Sequence, residues 1–234
     1  MDFKNLFTVK RIIFIAIFTV LVLVGKQINF SPLVGEENQF FTLFQFFGPI
    51  AGGFLGSVFG AVAVLFAQLI DFFVAGKEVT LINLLRLSPM IFAAYYFGTK
   101  KKNLGIMVPV IAITAFILHP VGREVWFFTL FWTIPIIAKI LPKKYSRDVI
   151  TRSLGATFAA HSVGGALWIW TVPMTAGQWV GLIPLVIYER LLFAGGIVIS
   201  YVAFNAVLNW ILEVSKVKVP EEVLRIEKRF TVRA

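Results

Sequence analysis

The sequence predicts an all-α fold: a polytopic membrane helix bundle of six to eight transmembrane segments, with cytoplasmic N and C termini. Three observations lead there. Of 234 residues, 59% are hydrophobic and only 15% charged, and the mean hydropathy is +0.86, which is foreign to a soluble domain of this size. Seventeen of the 22 lysines and arginines fall into four clusters, Lys4–Arg11, Lys100–Lys102, Lys139–Arg152 and Lys216–Arg233. Hydrophobic spans separate these clusters in pairs, so one side of a membrane can hold all four, and short basic loops mark the cytoplasmic side. The other side keeps Lys26, Lys77, Arg86, Arg123 and Arg190 against Glu36, Glu37, Asp71, Glu78, Glu124 and Glu189. The net charge of +10 is therefore a topology signal and not a nucleic-acid footprint. Its implied partner is the lipid bilayer, around a multi-pass protein of the cell membrane.

Residues 1–212 read as one transmembrane domain and 213–234 as a charged cytoplasmic tail with the pattern of a solvated surface helix. The first crossing spans Arg11–Ile28; no small-x-small cleavage site follows it, so it reads as a retained helix. A polar, acidic loop over Asn29–Gln39 comes next. The stretch Phe40–Val74 would be about 52 Å long as one helix, against a hydrocarbon core of about 30 Å. Gly48-Pro49 and Gly52-Gly53 lie inside it, and such residues bend or break helices. The charge rule favours a short descending segment, Phe40–Ala51, a turn near Gly52-Gly53, and an ascending helix, Phe54–Val74, over a single kinked helix.

Leu81–Phe97 then descends to Lys100–Lys102, and Leu104–Leu118 ascends to the His119-Pro120 break. Val125–Leu141 descends to Lys143-Lys144, and Val149–Trp170 ascends. After a loop with Pro173 and Gly177, Gly181–Arg190 lies at the outer interface, and Leu191–Ile211 descends.

Ionisable side chains in membrane spans are costly, so each is a functional candidate. Gln39, Gln45, Asp71, Asn83, Arg86, His119, Arg123, Glu124, His161, Glu189 and Arg190 all fall in the outer half or at the outer rim of this topology. The cytoplasmic half holds little beyond Asn205 and Asn209. One polar half points to an outward-facing cavity, with snorkelling to the outer headgroups as the bland alternative. Trp168, Trp170 and Trp179 gather near Glu189 and Arg190, as an interfacial belt or as stacking walls for a flat ligand. The candidate substrate-binding set is Gln39, Gln45, Asp71, Asn83, Arg86, His161, Trp168, Glu189 and Arg190. The mixed charges favour a polar or zwitterionic aromatic compound.

Small residues recur at four-residue spacing in Gly52, Gly56 and Gly60, and in Ala156, Ala160 and Gly164. Such stripes let helices approach closely in lipid, within the bundle or against a partner. No Walker A sequence, HExxH or GxSxG is present, so no ATP hydrolysis and no catalytic residue is assigned. No cofactor and no metal is expected. With no cysteine available, a metal would need His119 and His161 with Asp71 or Glu189, whose spacing is not that of a ligand set.

At Phe47–Asp71, FGPIAGGFLGSVFGAVAVLFAQLID, the chain resembles the substrate-binding S components of energy-coupling factor (ECF) vitamin transporters. Gly48, Pro49, Ala51, Gly52, Gly56, Gly60 and Asp71 carry the resemblance. The helix ending at Gly98 and the final helix pair with Glu189 extend it over about two-thirds of the sequence. The apparent hairpin Leu104–Leu141 is an addition to the six helices usual there. The resemblance implies capture of a vitamin or related small micronutrient from outside, for uptake driven by a transmembrane coupling (T) subunit and ABC-type ATPase subunits. It also implies a docking face on the first helix, where Ala16 stands, with the stripe Gly52, Gly56 and Gly60 as a second candidate face. Two other classes stay open: an accessory membrane subunit without a small-molecule ligand, and an intramembrane enzyme using His161 or His119 with Glu189.

Overall fold

The computed structural model describes residues 8–35, 39–216 and 219–230. Lys4, Glu36, Glu37, Lys218 and Arg233 lie outside the described residues. Among the described residues the chain is helical apart from one two-stranded antiparallel sheet.

Helix α1 covers Val9–Lys26, capped by the Thr8 side chain, which accepts from the Arg11 amide. The loop expected after it is a hairpin instead. Strands β1 (Asn29–Pro32) and β2 (Phe40–Thr42) pair with an irregularity between Asn29 and Ser31. A 3₁₀ turn, Leu43–Phe46, leads through Gly48-Pro49 into α2, Ile50–Leu55. The break expected near Gly52-Gly53 falls at Gly56, whose φ of 84° is open to glycine at little cost. Helix α3 then runs Ser57–Val74.

The expected crossing Leu81–Phe97 is divided into α4 (Leu81–Leu85), capped by Thr80, and α5 (Ser88–Gly98), which carries Pro89 in its first turn. Helix α6 covers Lys102–Leu118 and stops at His119; Pro120 opens the short α7, Pro120–Glu124. The expected helix Val125–Leu141 begins as a 3₁₀ segment, Trp126–Trp132, and becomes α8 only at Thr133–Ile140. The short α9 (Lys143–Ser146) precedes α10, Val149–Thr171, capped by Asp148. A Thr175/Gln178 capping box starts α11, Ala176–Gly181. Helix α12 then runs unbroken for 32 residues, Ile183–Val214. Glu189 and Arg190 therefore stand inside a helix and not at an interfacial helix start.

Among the described residues three helices are long and apolar enough to cross a membrane: α3, the stretch Leu81–Gly98 and α12. Apolar helices at Leu43–Leu55, Lys102–Leu118 and Trp126–Ile140 are shorter. The count falls below the expected six to eight for physical reasons. Helix α1 carries Lys10, Arg11 and Lys26 within 18 residues. Helix α10 is central, with Ser153, Thr157 and Ser162 all buried, so protein rather than lipid surrounds much of it.

Two clusters of buried side chains flank α10. One gathers Phe18, Val22, Ile50, Phe54, Ala94, Phe97 and Tyr201. The other gathers Phe116, Phe128, Trp132, Ile169 and Trp179. Cross-links between helix ends set their directions. Lys26 pairs with Asp71 at 2.5 Å, so α1 and α3 finish together. Lys139 Nζ donates to the Thr99 carbonyl at 2.9 Å, and Arg152 Nε donates to the Phe97 carbonyl at 3.1 Å, joining the ends of α5 and α8 to the start of α10. Trp170 Nε1 donates to Ala115 O at 2.9 Å, so α6 and α10 finish together. The described basic clusters thus share one end of the bundle. Between Phe40 and Asp71 the chain descends to that end at Phe54 and returns, in two segments.

The tail corrects the expectation of a solvated helix. It crosses the basic end with little helix and is fastened there. The Arg225 amide donates to Phe54 O at 2.8 Å. Asn205 brackets residue 227, its Nδ2 donating to the Glu227 carbonyl at 2.9 Å and its Oδ1 accepting from the Glu227 amide at 2.8 Å. Glu227 Oε1 accepts from Tyr201 OH and from Arg152, each at 2.8 Å.

Burial alone would push the Glu227 carboxyl up, but the Tyr201 hydroxyl, Arg152 and Arg229 outweigh it and hold it below the usual carboxylate range. A carboxyl lowered on docking contributes stability above its free pKa of about 4.3 and loses it as pH falls through the docked value. A spin label on a cysteine replacing the exposed Glu221 should therefore be immobile at neutral pH and gain mobility only as pH falls below the ordinary carboxylate range. Glu227→Gln should free it at neutral pH. An immobile label in Glu227→Gln would show that Asn205 and Arg225 suffice.

Candidate functional site

At the end away from the basic clusters the helices enclose a cavity of about 670 Å³. It is bounded by the last turns of α1 and α3, the β1–β2 hairpin, α4 and the start of α5, the second half of α10, and the first turns of α12. Leu182, just before α12, and four residues of the helix, Leu185, Val186, Glu189 and Arg190, line it. This i, i+3, i+4, i+7, i+8 spacing is one helical face. From α10 come Ala160, His161, Gly164, Gly165, Leu167 and Trp168. The small residues at 160, 164 and 165 leave the room that the cavity occupies.

All nine residues of the candidate set line this one cavity: Gln39, Gln45, Asp71, Asn83, Arg86, His161, Trp168, Glu189 and Arg190. They differ in how they are held. Asp71 is buried and bound by Lys26. Glu189 and Arg190 are 3% and 2% exposed and pair with each other at 3.0 Å. The second Glu189 oxygen accepts from Ser31 Oγ of the hairpin. The Arg190 guanidinium also lies 4.6 Å from the Phe41 ring centroid and 4.7 Å from that of Phe193, a geometry in which the ring faces attract the cation. Arg86 stands 5.3 Å from the Trp168 ring, whose indole N–H donates to the Val34 carbonyl at 3.2 Å. Asn83 is tied to the Glu78 carbonyl at 3.0 Å. Gln39 and Gln45 line the cavity from the hairpin and the 3₁₀ turn.

His161 accepts at Nδ1 from the indole N–H of Trp132, 3.1 Å away, and His119 meets Trp170 edge-on with centroids 5.0 Å apart. The two histidines are thus held by different tryptophans. Among the described residues no group of three or more His, Asp or Glu side chains is placed to hold a metal ion. His119, Arg123 and Glu124 do not line the cavity.

Several lining or supporting residues were not in the candidate set. Lys26, the partner of Asp71, had a signal: a lone cation at the outer end of an apolar helix needs a counter-charge nearby. Ser31, Phe41 and Trp132 had none, because hairpin pairing and a 3₁₀ segment set their positions. Trp179 had been placed among the outer tryptophans; it is 2% exposed and packs against Phe116 and Phe128 at 5.0 and 5.1 Å.

The docking candidates divide. Gly52, Gly56 and Gly60 are all buried, so the stripe is no face for a partner. A Cβ on Gly52 would overlap the Ala94 carbonyl, and one on Gly60 would overlap the Gly52 backbone. These glycines let α2, α3 and α5 touch backbone to backbone. At Gly56 the neighbour is the Arg225 guanidinium of the tail. Ala16 is exposed on α1, in a face with Ile12, Ile13, Ile17, Val20 and Val24.

Comparisons of the chain with protein-family models, with curated proteins and with solved structures find no match.

Proposed function

We propose that this chain is a membrane-embedded substrate-binding component that captures a vitamin or related small micronutrient from outside the cell for ATP-driven, ECF-type uptake. The observation that carries the reading is the cavity. Ligand sites typically occupy about 300–1,000 Å³, with apolar walls and a few placed polar groups. Here about 670 Å³ is walled by aromatic and aliphatic side chains and punctuated by Asp71, Arg86, His161, Glu189 and Arg190. It stands at one end only, as capture without a continuous pore requires. The coupling subunit and its ATPases would supply the energy, and the exposed α1 face around Ala16 is the surface this reading gives to them.

Mass spectrometry of small molecules released from gently purified protein tests the reading. A defined compound at near-stoichiometric amount is expected. Gly164 offers the control, because a Cβ there meets only Pro89 Cγ, at 3.7 Å. Gly164→Phe should fill the cavity without disturbing the backbone and weaken retention about tenfold or more, or about 1.4 kcal/mol. No released compound from the wild type, or equal retention by Gly164→Phe, would reject the cavity as the site.

The same reading puts the basic end of the bundle, with both termini, inside and Lys77, Arg123 and Gly177 outside. Single cysteines can be placed freely in a chain that has none. An impermeant thiol reagent added outside should label cysteines at 77, 123 and 177 and spare one at 101; labelling at 101 would overturn the topology.

A further inference from the structure

The inner wall of the cavity has an unbalanced set of hydrogen-bonding groups, and this restricts what can bind there. Both buried carboxylates are already committed: Asp71 to Lys26 at 2.5 Å, and Glu189 to Arg190 at 3.0 Å and to Ser31. Neither is left as an unpaired negative charge for a cationic ligand.

The histidine is biased the other way. An indole N–H can only donate. Trp132 donates to His161 Nδ1 at 3.1 Å, so that nitrogen bears no proton and the neutral ring carries its hydrogen on Nε2. Phe128 and Phe158 stand around the ring at 5.7 and 6.3 Å and offer no acceptor. The tautomer set by Trp132 makes His161 a donor on the cavity wall. Arg190, a group with donors only, lines the same cavity from α12. Its Nη2 is used by Glu189, and its Nε is buried without a partner.

Resting on the ligand-binding reading above, we propose that His161 Nε2–H and Arg190 form a subsite for an oxygen acceptor. The compound bound is then one bearing a carboxylate or ring carbonyl, and not one anchored by an amine. The zwitterion expected from the sequence narrows accordingly, because the two buried acids of the cavity are paired within the protein and the third lining acid, Glu78, is exposed. Trp132 is a positioning residue, acting through the tautomer it imposes.

Two probes of equal ring size and opposite charge test this, benzoate and benzylamine, each titrated against purified protein by the fluorescence of cavity tryptophans. Benzoate is expected to bind at least about tenfold more tightly than benzylamine. His161→Leu should weaken benzoate about tenfold or more, the usual scale for losing a hydrogen bond to a charged group, and leave benzylamine unmoved. His161→Gln, which keeps an N–H near the Nε2 position, should restore most of the loss. Equal or tighter benzylamine binding, or unchanged benzoate binding by a folded His161→Leu, would overturn the subsite. So would a compound released from the wild type that has an amine but no carbonyl, carboxylate or phosphate oxygen. Binding of neither probe together with no released compound would instead reject the ligand-binding reading itself.

Discussion

Replacing Gly52 by alanine should prevent the bundle from closing. The added methyl would sit on the Ala94 carbonyl and 3.1 Å from the Gly98 amide nitrogen. Both obstacles are backbone, so no rotamer change relieves them. Gly98 stands in the mirrored position, with the Gly52 carbonyl against it. Overpacking a well-filled core costs typically about 1–3 kcal/mol when side chains can yield, so about 3 kcal/mol or more is expected here. In lipid, close backbone approach replaces much of the hydrophobic drive between helices, and its loss has little to offset it. Gly195 gives the contrast: a Cβ there meets nothing within 4 Å, and Gly195→Ala should be neutral or gain up to about 1 kcal/mol of helix propensity. Thermal melting of detergent-purified variants reads both. A Gly52→Ala melting point within a degree of wild type would mean that α2 and α5 separate without cost.

The same glycines show where sequence reading succeeded and where it stopped. A four-residue spacing of small residues signals close helix contact, but the spacing is identical whether the neighbour is a partner or the next helix of the same chain. Only the position of Ala94 and Gly98 decides it. The candidate cavity residues were legible because membrane interiors penalise unpaired polar groups, so Asp71, Arg86, His161, Glu189 and Arg190 had to share an aqueous or mutually satisfied space. Their pairing was not legible. Glu189 and Arg190 read as an interfacial break because adjacent charges in an apolar run resemble a helix end. Their bond to each other and the Phe41 and Phe193 faces let α12 continue straight through. The tail was hidden for a related reason. Asn205 looked like an isolated polar residue in a cytoplasmic half-helix, and its partner lies 22 residues away on the backbone of a charged segment with no periodicity. The hairpin and the 3₁₀ stretch Trp126–Trp132 likewise depend on aromatic packing across the bundle, to which local propensity is blind.

The Glu189–Arg190 pair should show the largest effect at the site itself, and its variants can separate folding from binding. Removing one partner of a buried ion pair strands the other, at a typical cost of about 3–5 kcal/mol. Arg190→Met leaves the Glu189 carboxylate with only the Ser31 hydroxyl, so it should be the most damaging single change. Glu189→Gln should cost less, because an amide oxygen can still accept from Arg190 and Ser31, and the Phe41 and Phe193 rings still face the guanidinium. The double variant, Glu189→Gln with Arg190→Met, buries no charge and should recover most of the stability lost by Arg190→Met alone. That recovery would be a coupling of about 1–3 kcal/mol in a double-mutant cycle. Binding should not follow. Arg190→Met and the double variant both lose the Arg190 guanidinium from the cavity wall, so the double variant is expected to be stable and empty when its bound small molecules are analysed. If Arg190→Met alone melts like the wild type, Glu189 reaches water and the pair contributes nothing to the fold. If the stable double variant still retains the released compound at wild-type occupancy, these charges hold helices together and the ligand is recognised elsewhere on the cavity wall.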